Sequence, residues 1–245
     1  MENVHMNQTE LRQFNDYKRK LNLQAAQAQV GKIEYSLTDA TVDKAILKKA
    51  CQEANTLKLG GICVLPNAVR MCANMLGHNP QTSLIACISF PHGGDSTKIK
   101  VKAVKEAIKD GVDESEVTVP VACIKEGDFG YVKREFRALK KAAKKSALRI
   151  NIESNLLTSA EITKVCTLAV DCGITSIRTS SGFYGSGFNA ETITAIKNTV
   201  KDKCTIKADG VSTLGDAEAA LDVGASIIGC KNAADLARLV LKAAE

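Results

Sequence analysis

Residues 159–178 read SAEITKVCTLAVDCGITSIR. Apolar side chains recur through 159–172 with helical period, Gly173 follows, and 175–178 is a short apolar run. Glycine ends a helix at little cost because it enters the left-handed region freely. A helix that stops on glycine and passes within a few residues into a strand is the return half of a parallel βαβ unit.

The same signature repeats on both sides of this stretch. Strand-like runs lie at 33–37, 61–65, 83–90, 116–121, 148–153, 175–178, 205–208 and 226–229, and each of the first seven is followed by a segment of helical periodicity. The clearest helical segments are 42–57, 98–110, 131–144, 159–172, 190–201 and 214–223, with 233–244 after the last strand. Gly60, Gly111, Gly173 and Gly224 stand just before strands, where a helix cap belongs. Eight strand–helix pairs predict an α/β fold, a single (β/α)8 TIM barrel. An open dinucleotide-binding sheet would place a G-x-G-x-x-G turn after its first strand, and none is there. Residues 1–30 are polar, with Leu11, Phe14, Leu21 and Leu23 at loosely helical spacing. They form an expected N-terminal helical extension to a barrel domain at 31–245.

Composition narrows the function classes. Of 245 residues, 45% are hydrophobic and 24% charged, which argues against disorder. Aromatics make up 4% and Trp is absent, so base-stacking surfaces for single-stranded nucleic acid are scarce. No apolar run nears the roughly 20 residues of a membrane helix, and the first residues lack a signal-peptide pattern. Nine Cys without a CxxC pair read as small core residues of a protein in the reducing cytoplasm. The net charge of +6 includes a Lys/Arg-rich helix at 131–145, which reads as a solvated face with no nucleic-acid motif beside it.

On a TIM barrel, site residues lie at the C-terminal ends of strands. Five segments carry candidates there. RTSSGF offers Arg178, Thr179, Ser180 and Gly182; KADG offers Lys207, Asp209 and Gly210; and Arg149 and Glu153 lie on the fifth strand. FPHGG, with His92, ends the third strand, and Glu116 lies on the fourth. A lysine meeting a carboxylate inside a barrel can support imine chemistry, the amine attacking a carbonyl while the carboxylate and a water move protons. The plain alternative is that the carboxylates neutralise the cations and that TSSG is turn chemistry.

The segments GGICVLPNAV, ISFPHGGDSTKIKVKAVKEAIKDGVDESEV, EGDF, RINIESNLLT, AVDCGITSIRTSSGF and IKADGVSTLGDAEAALDVGASIIG occur in an order that resembles the deoxyribose-phosphate aldolase family. The resemblance implies a TIM barrel and a class I aldolase needing no metal and no cofactor, which cleaves 2-deoxyribose 5-phosphate reversibly in deoxyribonucleotide catabolism. It places Arg178 where the family has its imine-forming lysine. A guanidinium stays protonated in proteins and is no imine nucleophile. The resemblance matches Lys207 to the family's second lysine, Glu116 to its catalytic Asp, Arg149 to a lysine and Glu34 to an Asp. The phosphate loop, close to KAAGGIRT in the family, reads KADGVST here, with Asp209 where a glycine amide would approach phosphate. The eighth strand ends in Lys231 and Asn232, where small residues are usual.

Two readings follow. One is a pseudoenzyme barrel kept for a binding, structural or regulatory role. The other is an altered aldolase in which Lys207 forms the imine, its amine made acidic by the neighbouring Arg178, with Glu116 shuttling protons. Either way the inner cations Arg149, Arg178 and Lys207 leave a small anionic or phosphorylated ligand plausible, and Cys63 and Cys230 are the thiols expected near the site. Family analogy suggests a homodimer, with no membrane or nucleic acid as partner.

Overall fold

Eight parallel strands close on themselves in sequence order, each pairing with the next and the eighth with the first. The structure, a computed structural model, describes residues 8–77, 79–185 and 188–244. The strands are β1 Ile33–Leu37, β2 Gly61–Val64, β3 Ser83–Ile88, β4 Glu114–Thr118, β5 Ala147–Asn151, β6 Ser176–Arg178, β7 Thr205–Asp209 and β8 Ile227–Cys230. The helices are α1 Gln8–Val30, α2 Lys44–Leu57, α3 Val69–Leu76, α4 Thr97–Asp110, α5 Val121–Lys125, α6 Phe129–Ala143, α7 Ser159–Asp171, α8 Ala190–Val200, α9 Leu214–Asp222 and α10 Ala233–Lys242. Helix α1 packs on α10. Residues 1–7 of the expected extension, and the side chains of Leu11 and Phe14, lie outside what the structure describes.

Alternation along each strand sorts side chains between two layers. The outward set, including Ile33, Tyr35, Ile62, Val64, Val117, Ile150, Ile177, Ile206 and Ile228, joins the apolar layer beneath the helices. The inward set is polar: Glu34 and Ser36 on β1, Glu114 and Glu116 on β4, Arg149 on β5, Ser176 and Arg178 on β6, Lys207 and Asp209 on β7, all buried. Cys63, Ile85 and Cys87, with Phe90 against them, form a small apolar cluster of their own. The fold rests on the outer layer, and the barrel interior is given over to charge.

Local chemistry sets the element ends. Thr158 and Glu161 close a capping box at the start of α7, and Gly173, at φ +73°, follows the cap residue Cys172 at its other end. Gly111 and Gly224 likewise take positive φ. Gly60 differs from the expectation: Lys58 takes the left-handed cap at φ +61°, and Gly60 is required because a Cβ there would stand 2.4 Å from the Gly31 carbonyl oxygen. The expected third strand overran, since Ser89 turns to φ +59° after Ile88. The fourth begins two residues earlier than expected, at Glu114, and stops before Pro120, which lacks an amide for the ladder and leads into α5.

Candidate functional site

The parallel register brings the inward charges into one network. Glu116 lies opposite Arg149, and Arg178 opposite Lys207. Arg149 grips Glu34 with both terminal nitrogens (Nη1 to Oε2 2.8 Å, Nη2 to Oε1 3.0 Å). It also donates to Glu116 Oε2 at 3.2 Å, Glu114 Oε2 at 2.8 Å and, through Nε, Ser176 Oγ at 3.0 Å. Arg178 Nη1 donates to Glu116 Oε1, Nη2 lies 2.9 Å from Asp209 Oδ2, and Nε donates to the Ser180 carbonyl at 2.7 Å. Lys207 Nζ lies 2.8 Å from Glu34 Oε2, 3.4 Å from Glu116 Oε2 and 4.0 Å from Asp209 Oδ2. Ser36 Oγ donates to the same Asp209 oxygen at 2.8 Å. Gly229 on β8 leaves the room: a Cβ there would meet Asp209 Oδ2 at 2.2 Å and Lys207 Cε at 2.6 Å.

Charge bookkeeping explains the ionisation of each group. Glu34, Glu116 and Asp209 balance Arg149, Arg178 and Lys207. Burial alone would raise the Glu116 carboxyl, but Arg178, Lys207 and Arg149 together hold it far below the usual carboxylate range. Glu34 likewise sits at about 2, burial being outweighed by Arg149 and Lys207. Glu114 is the surplus carboxyl. Burial pushes it up to about 7, with Arg149 already shared among other carboxylates.

Lys207 corrects an expectation. A depressed amine beside Arg178 was anticipated; burial and Arg178 do act in that direction, but Glu116 and Glu34 outweigh them and raise the amine above its ordinary value. Lys207, Arg178 and Glu116 are each 0% exposed, so no solvent path reaches the amine. Above it, the Arg178–Asp209 pair and Ser36 close the barrel toward its C-terminal mouth.

The remaining candidates separate into interior and mouth. Thr179 Oγ1 accepts from the Asp209 amide at 3.3 Å, and Ser180 contributes its carbonyl to Arg178, so both shape the turn. Glu153, at φ +49°, accepts from the Ser181 amide at 3.1 Å and from Asn151 Nδ2 at 2.7 Å, anchoring the β6 loop. Gly182, Asp209, Gly210, Lys231 and Asn232 line a mouth cleft of about 240 Å³. Lys231 is exposed and paired with Asp39 at 2.8 Å, and Asn232 donates to the Ser212 carbonyl at 3.1 Å. Beside the cleft, Phe183 stacks edge-on with Phe90, His92 and Tyr184, joining the loops after β3 and β6. The cations of α6 line its solvent side, with Arg134, Arg137 and Lys141 exposed.

Of the two thiols expected near the site, Cys63 is there, its Sγ 3.7 Å from Glu116 Oε1, while Cys230 lines the mouth cleft. Cys87, unanticipated, makes a matching 3.7 Å contact. Cys63, Cys87 and Glu116 hold their ligand atoms within 4.8 Å of one another, spacing that could suit a metal ion. Arg178 occupies the same Glu116 oxygen and lies 4.0 Å from Cys87 Sγ, so a bound cation would face a guanidinium. Glu114 was also missed as a site residue. Its signal is the alternation of ESEVT, which puts Glu114 on the face of Glu116.

No protein-family model matches the chain. It is 33% identical over 201 residues to the deoxyribose-phosphate aldolase of Finegoldia magna, covering 82% of this chain and 94% of the relative. It is 32% identical over 205 residues to the enzyme of that name from Mycoplasma capricolum, covering 83% and 92%. Among solved structures it superposes on QR15, described as an aldolase, with a TM-score of 0.82 at 23% identity, covering 87% and 96%. It also superposes on a deoxyribose phosphate aldolase from Aeropyrum pernix, described as tetrameric, with a TM-score of 0.79 at 20% identity, covering 91% and 94%. At these identities the two structures establish the fold alone. No helix among the described residues is long and apolar enough to cross a membrane.

Proposed function

This chain belongs to the deoxyribose-phosphate aldolase family, and within it we infer a pseudoenzyme: a barrel that has left the aldol reaction and retains its mouth for binding. The observation that carries this reading is the state of Lys207, fully buried and held as an ammonium by Glu34 and Glu116. Imine formation needs a neutral amine that a carbonyl can reach. Arg178, at the position that the resemblance gives to the nucleophile, offers none. Glu116 is equally unsuited to proton shuttling, because a carboxylate held that far below neutrality is a weak base.

The competing reading, an aldolase acting through Lys207, draws on the 3.4 Å contact between Lys207 Nζ and Glu116. That contact is a salt bridge, and it favours the protonated amine. Incubating the protein with 2-deoxyribose 5-phosphate and measuring glyceraldehyde 3-phosphate release decides between them. The binding reading expects no turnover, and rates of about 1–1000 per second, ordinary for enzymes, would overturn it. We further propose a cytoplasmic homodimer, supported by nine free cysteines and by family analogy; light scattering tests the stoichiometry.

A further inference from the structure

We propose that the barrel floor, the end opposite the mouth, holds a site for a small zwitterion of the amino-acid class, with its ammonium on Glu114 and its carboxylate on Lys203. The site goes beyond the mouth reading and does not depend on it.

A cavity of about 570 Å³ opens where the strands begin. Its wall takes in the first residue of every strand from β4 to β8, Glu114 and Ser176 among them. Lys197 of α8 and the turn at Asp202 and Lys203 form its outer side. The size falls within the range of small-molecule sites.

Glu114 is what gives this cavity a binding group. Its side chain is 10% exposed. Oε2 accepts from Arg149 Nη2 at 2.8 Å, while Oε1 has no hydrogen-bond partner among the described residues. Among those residues Ser115 Oγ is the side-chain polar atom that is both sealed from solvent and unpartnered. Glu114 Oε1 is therefore not sealed, and it opens onto the floor cavity that its residue lines.

The cations nearby leave that oxygen unmet. Arg149 spends all five N–H groups, Nε on Ser176, Nη1 on Glu34 and Glu116, and Nη2 on Glu34 and Glu114. Lys197 pairs with Asp202 at 2.9 Å and donates to the Lys201 carbonyl at 3.1 Å. Lys203 is exposed, and its ammonium has no partner among the described residues. The cavity thus presents one unmatched carboxylate oxygen, buried, and one unmatched ammonium, exposed.

That combination selects the ligand. A simple anion finds Lys203 but no free guanidinium N–H, and Glu114 repels it. A metal ion wants several hard ligands, and the side-chain cluster with metal-ligand spacing among the described residues does not include Glu114. A molecule with an ammonium and a carboxylate a few bonds apart satisfies both groups. Ser226, also on the wall, accepts from the Ile206 amide at 3.5 Å and keeps its own hydrogen to donate to the ligand carboxylate.

The test is calorimetric or NMR titration of the full chain at pH 8 with 4-aminobutyrate, and with butylamine and butyrate as single-charge probes of the same chain length. The zwitterion should bind at least about fivefold more tightly than either single-charge probe. Glu114→Gln should weaken it about tenfold or more, the effect of a charge-assisted hydrogen bond at a buried group. Lys203→Gln, at an exposed cation, should weaken it about two- to fivefold. Lys141→Gln, on the outer face of α6, should leave it unchanged and reports nonspecific attraction. Circular dichroism confirms that each variant is folded. No binding of 4-aminobutyrate up to about 50 mM overturns the proposal. So does binding that Glu114→Gln leaves intact, or equal affinity for butylamine or butyrate. Aldolase turnover is read separately, so failure of the pseudoenzyme reading leaves these results unaffected.

Discussion

Glu114 and Glu116 lie two residues apart on β4, point into the same barrel and contact the same guanidinium, yet their amide variants should move stability in opposite directions. Glu116 is the shared counterion of Arg149, Arg178 and Lys207, all buried. Glu116→Gln leaves these cations short of one negative charge, and removing one partner of a buried pair costs about 3–5 kcal/mol. For a chain this long each kcal/mol shifts Tm by about 2–4 °C, so a fall of about 6–20 °C is expected. Glu114 is the surplus carboxyl, its folded value at about 7 against an ordinary 4.5. The folded state then binds more protons than the unfolded one between those values, so stability falls as pH rises through that window. At pH 8 the charged form carries a penalty of up to about 3 kcal/mol, from about 1.4 kcal/mol per pH unit. Glu114→Gln removes it, giving a variant as stable as the parent or more so at pH 8, and less favoured near pH 5. Urea melts followed by circular dichroism at both pH values measure this. A Glu116→Gln protein within 1 kcal/mol of the parent, or a Glu114→Gln protein about 3 kcal/mol weaker at pH 8, would refute the charge balance.

Other consequences are independent of that pair. Glu34, held at about 2 against 4.5, contributes about 3 kcal/mol that is fully present above pH 4.5 and lost as pH falls toward 2. Glu34→Gln should flatten that acid limb in a pH series of melts. Gly229→Ala would press a methyl onto Asp209 and Lys207, and should cost about 1–3 kcal/mol by thermal unfolding. Outside the barrel, Lys100 and Glu135 pair at 2.8 Å with both side chains buried. Lys100→Met alone should cost about 3–5 kcal/mol, while Lys100→Met with Glu135→Leu should recover most of it, read in a double-mutant cycle.

The barrel was legible because the periodicity of 159–178 and its repeats is local: helix, glycine, strand. Boundaries failed where a single residue ended an element, as at Ser89 and Pro120. The charged interior was half visible. A strand buried on both faces is ordinarily a continuous apolar run, so the charges at alternate positions of IEYSL, ESEVT and TIKAD mark a polar interior. Glu114 was lost with the misplaced start of its strand. The protonation of Lys207 was out of reach, because it depends on Glu34, brought to 2.8 Å only when β1 closes against β8. Arg178 and Glu116 were both visible as neighbours of Lys207, but Glu116 was read as a proton shuttle, not as the counterion that with Glu34 outweighs Arg178.

The most direct test of a sealed, protonated Lys207 is borohydride reduction in the presence of acetaldehyde or 2-deoxyribose 5-phosphate at neutral pH, followed by peptide mass spectrometry. Exposed lysines such as Lys231 serve as the reference for nonspecific labelling. Burial between Glu34 and Glu116 predicts that the peptide carrying Lys207 stays unmodified while exposed lysines label slowly and without substrate selectivity. A substrate-dependent reduced imine on Lys207 would contradict it and return the chain to the working aldolases.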